Sequence, residues 1–221
     1  MSQAPAATAS KPPTQSGSAT PKALRWRRFA PWLVVPLLLL GYFVYAWLSY
    51  PSDHTPQGAY LRVMSAVNRG KAQDLFHYTE TEAQHACYTI RDFRRKARQS
   101  VLRAYPEPER GRLAAEYQPF AESSDGQDVF AIYSRQRGYL DRLRRDMSGI
   151  ERVEIAGDRA TVQTAKGTRY AFRRRDNGMW GLTLFTAELA NEARRAARDA
   201  ALVEKAAQDY ERARKLGHGG G

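Results

Sequence analysis

The sequence predicts an α+β protein on a membrane anchor, and three observations carry that prediction. One apolar run, residues 29–50, bears no charge and has a basic cluster on one side only, just before it. Beyond it, apolar residues recur at helical spacing as far as Met147, then alternate at a period of two from Val153 to Leu184. From Leu189 onward, small apolar residues repeat at alternating spacings of four and three. The expected layout is an N-terminal transmembrane helix, helices packed on a curved antiparallel meander of about four strands, and a long C-terminal helix.

Residues 1–28 open the chain. Between Met1 and Leu24 they are Ala, Pro, Ser, Thr, Gln and Gly with two lysines. Such a segment buries too little to offset its ordering entropy and reads as a disordered basic tail.

The run over residues 29–50 spans about 33 Å as a helix, against a bilayer core of about 30 Å. Three readings compete for it. A cleaved signal peptide wants a shorter apolar core and small residues at the cut, but the exit here is Ala46-Trp47-Leu48-Ser49-Tyr50. A buried core helix wants a polar face, which the run lacks. An uncleaved anchor fits best. Trp26 and Trp32 at one end, and Tyr45, Trp47 and Tyr50 at the other, suit interfacial belts. Pro31 falls in the first turn and Pro36 inside, a position that membrane helices tolerate. Lys22, Arg25, Arg27 and Arg28 precede the run, and no acid occurs before Asp53. The positive side stays in the cytoplasm, so the reading is a bacterial inner-membrane protein crossing once, with its C-terminal domain periplasmic.

Residues 51–55 are a short polar linker. Thr55 is a good N-cap and Pro56 suits the first helical position. Tyr60, Val63, Met64 and Val67 then share a face, and Gly70 ends the helix. Thr79-Glu80-Thr81-Glu82 matches a capping box. The stripe Ala83, Ala86, Cys87, Ile90, Phe93 and Ala97 follows, with Arg91, Arg94, Arg95, Lys96 and Arg98 opposite it. Pro106 and Pro108 stop that helix, and Pro119 is expected to stop a short one begun at Glu109. Val129, Phe130, Tyr133, Leu140, Leu143 and Met147 mark further helix, weakened at Gly138.

Four strands are expected next, turning at Gly157-Asp158, Lys166-Gly167 and Asp176-Asn177-Gly178. Their shared apolar set is Val153, Ile155, Val162, Tyr170, Phe172, Trp180, Leu182 and Leu184. This completes a domain over residues 56–185. A long helix then occupies 186–216, from Thr186 as N-cap to a stop at Gly217, and 217–221 form a flexible tail. Its seam is Leu189, Ala193, Ala196, Ala200, Val203, Ala207 and Tyr210. That helix either packs back on its own domain or serves self-association or a protein partner.

Thr55-Pro56-Gln57-Gly58-Ala59-Tyr60 through Asn68-Arg69-Gly70-Lys71-Ala72 resembles the opening helix of the nuclear-transport-factor-two-like (SnoaL-like, cystatin-like) α+β cone. The stretches from Val153 to Val162 and from Asn177 to Leu182 resemble that superfamily's strand–turn–strand and closing Trp strand. The chain departs from the pattern in its four strands, its helical insertion between residues 83 and 147 and its terminal helix. In topology it is similar to the bitopic inner-membrane assembly proteins of type IV secretion systems. The resemblance implies either a scaffold, a hydrophobic-ligand or lipid binder, or a small-molecule enzyme with Asp, His or Tyr inside the cone.

The residues for chemistry are few. His77 and His85 lack metal-ligand spacing, while His54 lies in the linker and His218 in the tail. Tyr78, His77, Asp92 and Tyr170 are the enzyme candidates that the resemblance implies, and each has an ordinary structural explanation. The single cysteine, Cys87, has no internal partner and lies on an apolar stripe. Phosphate loops, nucleophile elbows and paired-cysteine metal sites are absent from the sequence. The expectation is therefore no enzyme, no catalytic or cofactor-binding residue, no metal and no cofactor.

The net charge is +12. Arginine triplets stand at 94, 95, 98; 142, 144, 145; and 173, 174, 175. If they converge, they attract anionic lipid or glycan, or an acidic protein; if not, they cover solvated faces. Nucleic acid is excluded by compartment. The reading is a single-pass, membrane-anchored envelope scaffold or assembly component.

Overall fold

The computed structural model describes residues 30–48 and 51–218, with side chains over 35–45 and 51–217. The chain divides into two compact units, Met1–Ser49 and Tyr50–Gly221. The first contains α1, Ala30–Leu48, with Pro36 inside it. Its described side chains, from Val35 to Tyr45, are exposed. Among the described residues no helix is long and apolar enough to cross a membrane; the described side chains of α1 cover only about 16 Å of helix. The expected 1–28 tail, the belts at Trp26, Trp32, Trp47 and Tyr50, and residues 219–221 lie outside the described residues or side chains.

The second unit is α+β, with helices packed on one face of a four-stranded antiparallel sheet. Helix α2, Pro56–Asn68, begins as its sequence predicts. The Thr55 hydroxyl accepts the Gly58 N–H at 3.2 Å. A short α3, Ala72–Phe76, follows Gly70, whose φ of +70° turns the chain. Then come α4, Thr81–Ala104, α5, Glu109–Ala121, α6, Gly126–Arg137, and α7, Tyr139–Asp146. Asp125 caps α6 through the N–H groups of Gln127 and Asp128. Gly138, at φ +62°, splits what the sequence suggested was one weakened helix into α6 and α7.

The strands are β1, Ile150–Ala156, β2, Arg159–Thr164, β3, Arg169–Arg174, and β4, Trp180–Leu182, in that order across the sheet. Gly157, Gly167 and Gly178, all at positive φ, make the turns between them. Across the inner face, register sets Val162 between Val153 and Tyr170, and Phe172 between Ala160 and Leu182. The outer edge of β4 is closed by the chain before α4, where the Leu182 N–H donates to the Tyr78 carbonyl and the Glu80 N–H to the Leu182 carbonyl.

Helix α8, Thr186–His218, lies parallel to α4. Arg94 pairs with Asp199 at 2.9 Å, Ser100 donates to Glu204 at 2.5 Å, and Arg103 reaches both Glu204 and Glu211. Leu189, Ala193 and Ala196 join the core over the sheet. Ala200, Val203 and Ala207 join a second cluster with Ala97, Val101, Tyr105, Ala114 and Tyr117, built from α4, α5 and α8. The alanine seam thus packs back on its own domain, because small side chains let two helices approach closely.

Several expectations need correction. The capping box does not form: Glu80 precedes α4 without a side-chain cap, and the Thr79 hydroxyl donates instead to the Phe76 carbonyl. Pro119 lies inside α5, near its end, where the missing N–H forfeits one bond of the last turns. Gly217 does not stop α8, which runs to His218. Thr186 is in the helix, its hydroxyl donating to Glu80. Ile155 and Leu184 are 59% and 49% exposed, because β1 is an edge strand and Leu184 follows the end of β4.

The linker is pinned. Trp180 donates its backbone N–H to the Asp53 carbonyl at 3.2 Å and its indole N–H to the His54 carbonyl at 3.1 Å. Gly58 lies directly beneath; a Cβ there would stand 2.0 Å from the Ser52 carbonyl oxygen.

Candidate functional site: the space between sheet and helices

The cone resemblance would place a ligand or catalytic group between the sheet's inner face and the helices. That space is filled. Tyr170, Phe172 and Trp180 are 3%, 1% and 5% exposed. The Tyr60 ring stands 5.6 Å from that of Tyr170, and Phe130 and Phe185 pack 5.8 Å apart. The Tyr60 hydroxyl donates to the Ser148 carbonyl at 2.7 Å and accepts the Ser148 N–H at 3.2 Å, tying α2 to the start of the sheet. Two inner-face hydroxyls on neighbouring strands, Thr164 and Tyr170, have no protein partner. Burial pushes the Tyr170 phenol up to about 12, so it stays protonated at neutral pH and serves poorly as a base.

The other candidates do not converge on this space. His77 is exposed, and its carbonyl accepts Arg175 at 2.9 Å. Tyr78 is half-buried and engages β4 through its backbone. Asp92 is exposed and accepts the guanidinium of Arg91, its neighbour on α4. His54 is exposed beside Asp53 at 3.9 Å, His85 is exposed on α4, and the His218 side chain lies outside the described residues. Cys87 is free and fully buried, and desolvation pushes its thiol up to about 12. Among the described residues no group of three or more His, Cys, Asp or Glu is placed to hold a metal ion.

Most arginines of the triplets are engaged by partners of their own. Arg94, Arg95 and Arg98 bind Asp199, the Ala121 and Ser123 carbonyls, and Glu122. They fasten α4 to α5 and α8. Arg173 bridges Glu80 and Asp158, and Arg175 binds the His77 carbonyl and Gln84. Arg142 stacks over Tyr139, with its guanidinium carbon 5.5 Å from the ring centroid.

Sequence reading missed two buried carboxylates. Glu80, 6% exposed, accepts Arg173 at 3.1 Å and the Thr186 hydroxyl at 2.7 Å, joining α4, β3 and α8. Glu192, 9% exposed, accepts Arg137 at 2.8 Å and Arg195 at 3.1 Å. Glu80 stood within a capping-box pattern, which hid its long-range role. Glu192 flanks the seam residue Ala193, a position that only the packing against α6 reveals.

The sheet's outer face is open. Arg152, Glu154, Arg159, Thr161, Gln163, Arg169, Ala171 and Arg173 point away from the core by strand alternation. A shallow cleft of about 350 Å³ there is lined by Glu80, Glu82, Arg159, Thr161, Arg173 and Thr183, among others. No protein family, characterised protein or solved structure matches the chain.

Proposed function

We propose that the chain is a single-pass, membrane-anchored envelope protein with a non-enzymatic scaffold or assembly role. In this reading its N-terminus is cytoplasmic in a bacterial inner membrane and its cone-like α+β domain is periplasmic. The observation that carries the scaffold assignment is the filled space over the sheet: aromatic side chains occupy the volume that a substrate or ligand needs. The anchor assignment rests on the uncharged run over residues 29–50 and its one-sided basic flank. The docking surfaces in this reading are the outer sheet face and the free side of α8, where Leu202 and Leu216 are 67% and 80% exposed.

The test is in-cell photo-cross-linking of the full chain, with the probe at Leu202 or at Arg169. Discrete adducts with the same envelope proteins, from one or both probe positions, are expected. A chain that stays monomeric and gives no adduct from either position overturns the scaffold role. Orientation is tested with a reporter fused at the C-terminus that is active only outside the cytoplasm. An inactive reporter on a stable fusion overturns the topology.

A further inference from the structure

The α6–α7 junction holds an arrangement that the scaffold reading does not use. A cleft of about 480 Å³ opens between the start of α3 and this junction. Lys71, Ser134, Arg135, Gly138, Asp141 and Arg144 are among the residues lining it.

Four observations there point to the same ligand chemistry. First, α7 starts at Gly138 with no side chain capping it. Its first N–H groups, from Tyr139 to Asp141, lack intrahelical acceptors and carry the positive end of the helix dipole. Second, the Ser134 hydroxyl has no partner although the residue is only 3% exposed. Buried helical serines usually donate back to the carbonyl four residues earlier. Ser100 donates in this way to Lys96, and Ser123, just past α5, to Pro119, whereas Ser134 does not.

Third, cations outnumber acids around the opening. Lys71 and Arg135 are exposed and have no ion-pair partner among the described residues. Arg144 donates to the Val67 carbonyl at 3.0 Å and contacts Asp141 at 3.4 Å. Asp141 is the one acid in the lining. The nearby acids Asp74 and Asp128 are engaged by Arg69 and by Gln73 and Ser124. Fourth, the mouth is unobstructed: a Cβ on Gly138 meets no atom within 4 Å, and one on Gly70 meets only Arg144 Nη2 at 3.8 Å.

We propose that this cleft binds a phosphate group, carried by a small molecule or by a lipid headgroup. The first-turn N–H groups of α7 and the Ser134 hydroxyl donate to its oxygens, and Lys71, Arg135 and Arg144 neutralise its charge. The site is independent of the scaffold assignment and stands or falls on its own test.

The experiment titrates inorganic phosphate into the full chain in neutral detergent at constant ionic strength, following backbone amide shifts. Saturating shifts centred on Tyr139, Leu140 and Asp141 are expected. Ser134→Ala removes a hydroxyl that bonds nothing in the free protein, so the fold is retained while phosphate affinity falls about tenfold. Lys71→Gln weakens binding as well, and Arg112→Gln on α5, outside the cleft, leaves it unchanged. Repeating the titration with phosphatidylglycerol in the micelle separates the sources. A reduced response to inorganic phosphate assigns the site to headgroups, and an unchanged response assigns it to free phosphate esters. Shifts that do not saturate, that spread over the arginine-rich surfaces, or that survive Ser134→Ala intact overturn the proposal.

Discussion

Phe172→Ala tests the claim that the space over the sheet is occupied. Phe172 is 1% exposed, in register with Ala160 on one side and Leu182 on the other. Cutting the ring back to a methyl group forfeits about 2–3 kcal/mol of transfer free energy. The void adds about 24 cal/mol per Å³ wherever the neighbours fail to close in. Tyr170, Trp180 and Leu182 are held by strand pairing, and Tyr60 by its bonds to Ser148, so collapse is restricted. The expected loss is about 3–5 kcal/mol, or about 6–20 °C in melting temperature at this chain length. The assay is urea unfolding of the full chain followed by fluorescence. Trp180 is the only tryptophan of the α+β unit, and its burial makes it the reporter. A loss below about 1 kcal/mol refutes the reasoning. It means that Phe172 borders space already free to rearrange, and the scaffold assignment loses its carrying observation.

Glu80→Ala strands the Thr186 hydroxyl but leaves Arg173 its contact with Asp158, so chemical denaturation should show a loss of about 2–3 kcal/mol. Pairing it with Arg173→Met in a double-mutant cycle should recover part of that loss as coupling. Gly181→Ala places a Cβ 2.8 Å from both the Glu80 Cα and the Thr79 carbonyl oxygen; thermal melting should show a loss of about 3 kcal/mol or insoluble protein. Cys87 should resist a thiol reagent in the folded chain and react at once in denaturant, since burial both shields it and keeps it protonated. Burial raises Cys87, Tyr133 and Tyr170 to about 12. The folded state therefore retains protons that the unfolded chain releases above its ordinary thiol and phenol values. The stability these groups contribute is complete below those values and is lost as pH climbs toward 12, which urea midpoints measured across an alkaline series will show.

Much of the architecture was legible because local physics dictated it. The Thr55 cap, the switch of period at Val153 and the glycine turns at 157, 167 and 178 are short-range signals, and tertiary packing agreed with them. Gly138 was read as a weak point and proved to be a left-handed break, since a single glycine does not say whether a helix bends or ends. The Thr79–Glu82 pattern failed because the Thr79 hydroxyl turns back to the Phe76 carbonyl and the backbone on either side of it pairs with Leu182 of β4, so α4 starts only at Thr81. Strand alternation placed Ile155 on the inner face but could not tell that the core covers the edge strand at Ile150 and Val153 and leaves its far end exposed. The proposed phosphate cleft left no motif, because its donors come from the start of α7, from Ser134 and Arg135 on α6, from Arg144 and from Lys71 before α3, brought together only by folding.

The pinned linker has a mechanical consequence. Residues 52–55 are held against the domain: Trp180 donates to two successive carbonyls of the strap, and α2 passes under it too closely for even one methyl group on Gly58. Torque or tension arriving at Pro51 therefore passes straight into β4 and across the sheet instead of being absorbed in the strap. Pulling the strap off the domain has to break the bonds that Trp180 makes to two successive carbonyls, Asp53 and His54. Gly58→Ala is the change that would loosen the strap, because its methyl group would push the Ser52 and Pro51 carbonyls away from α2.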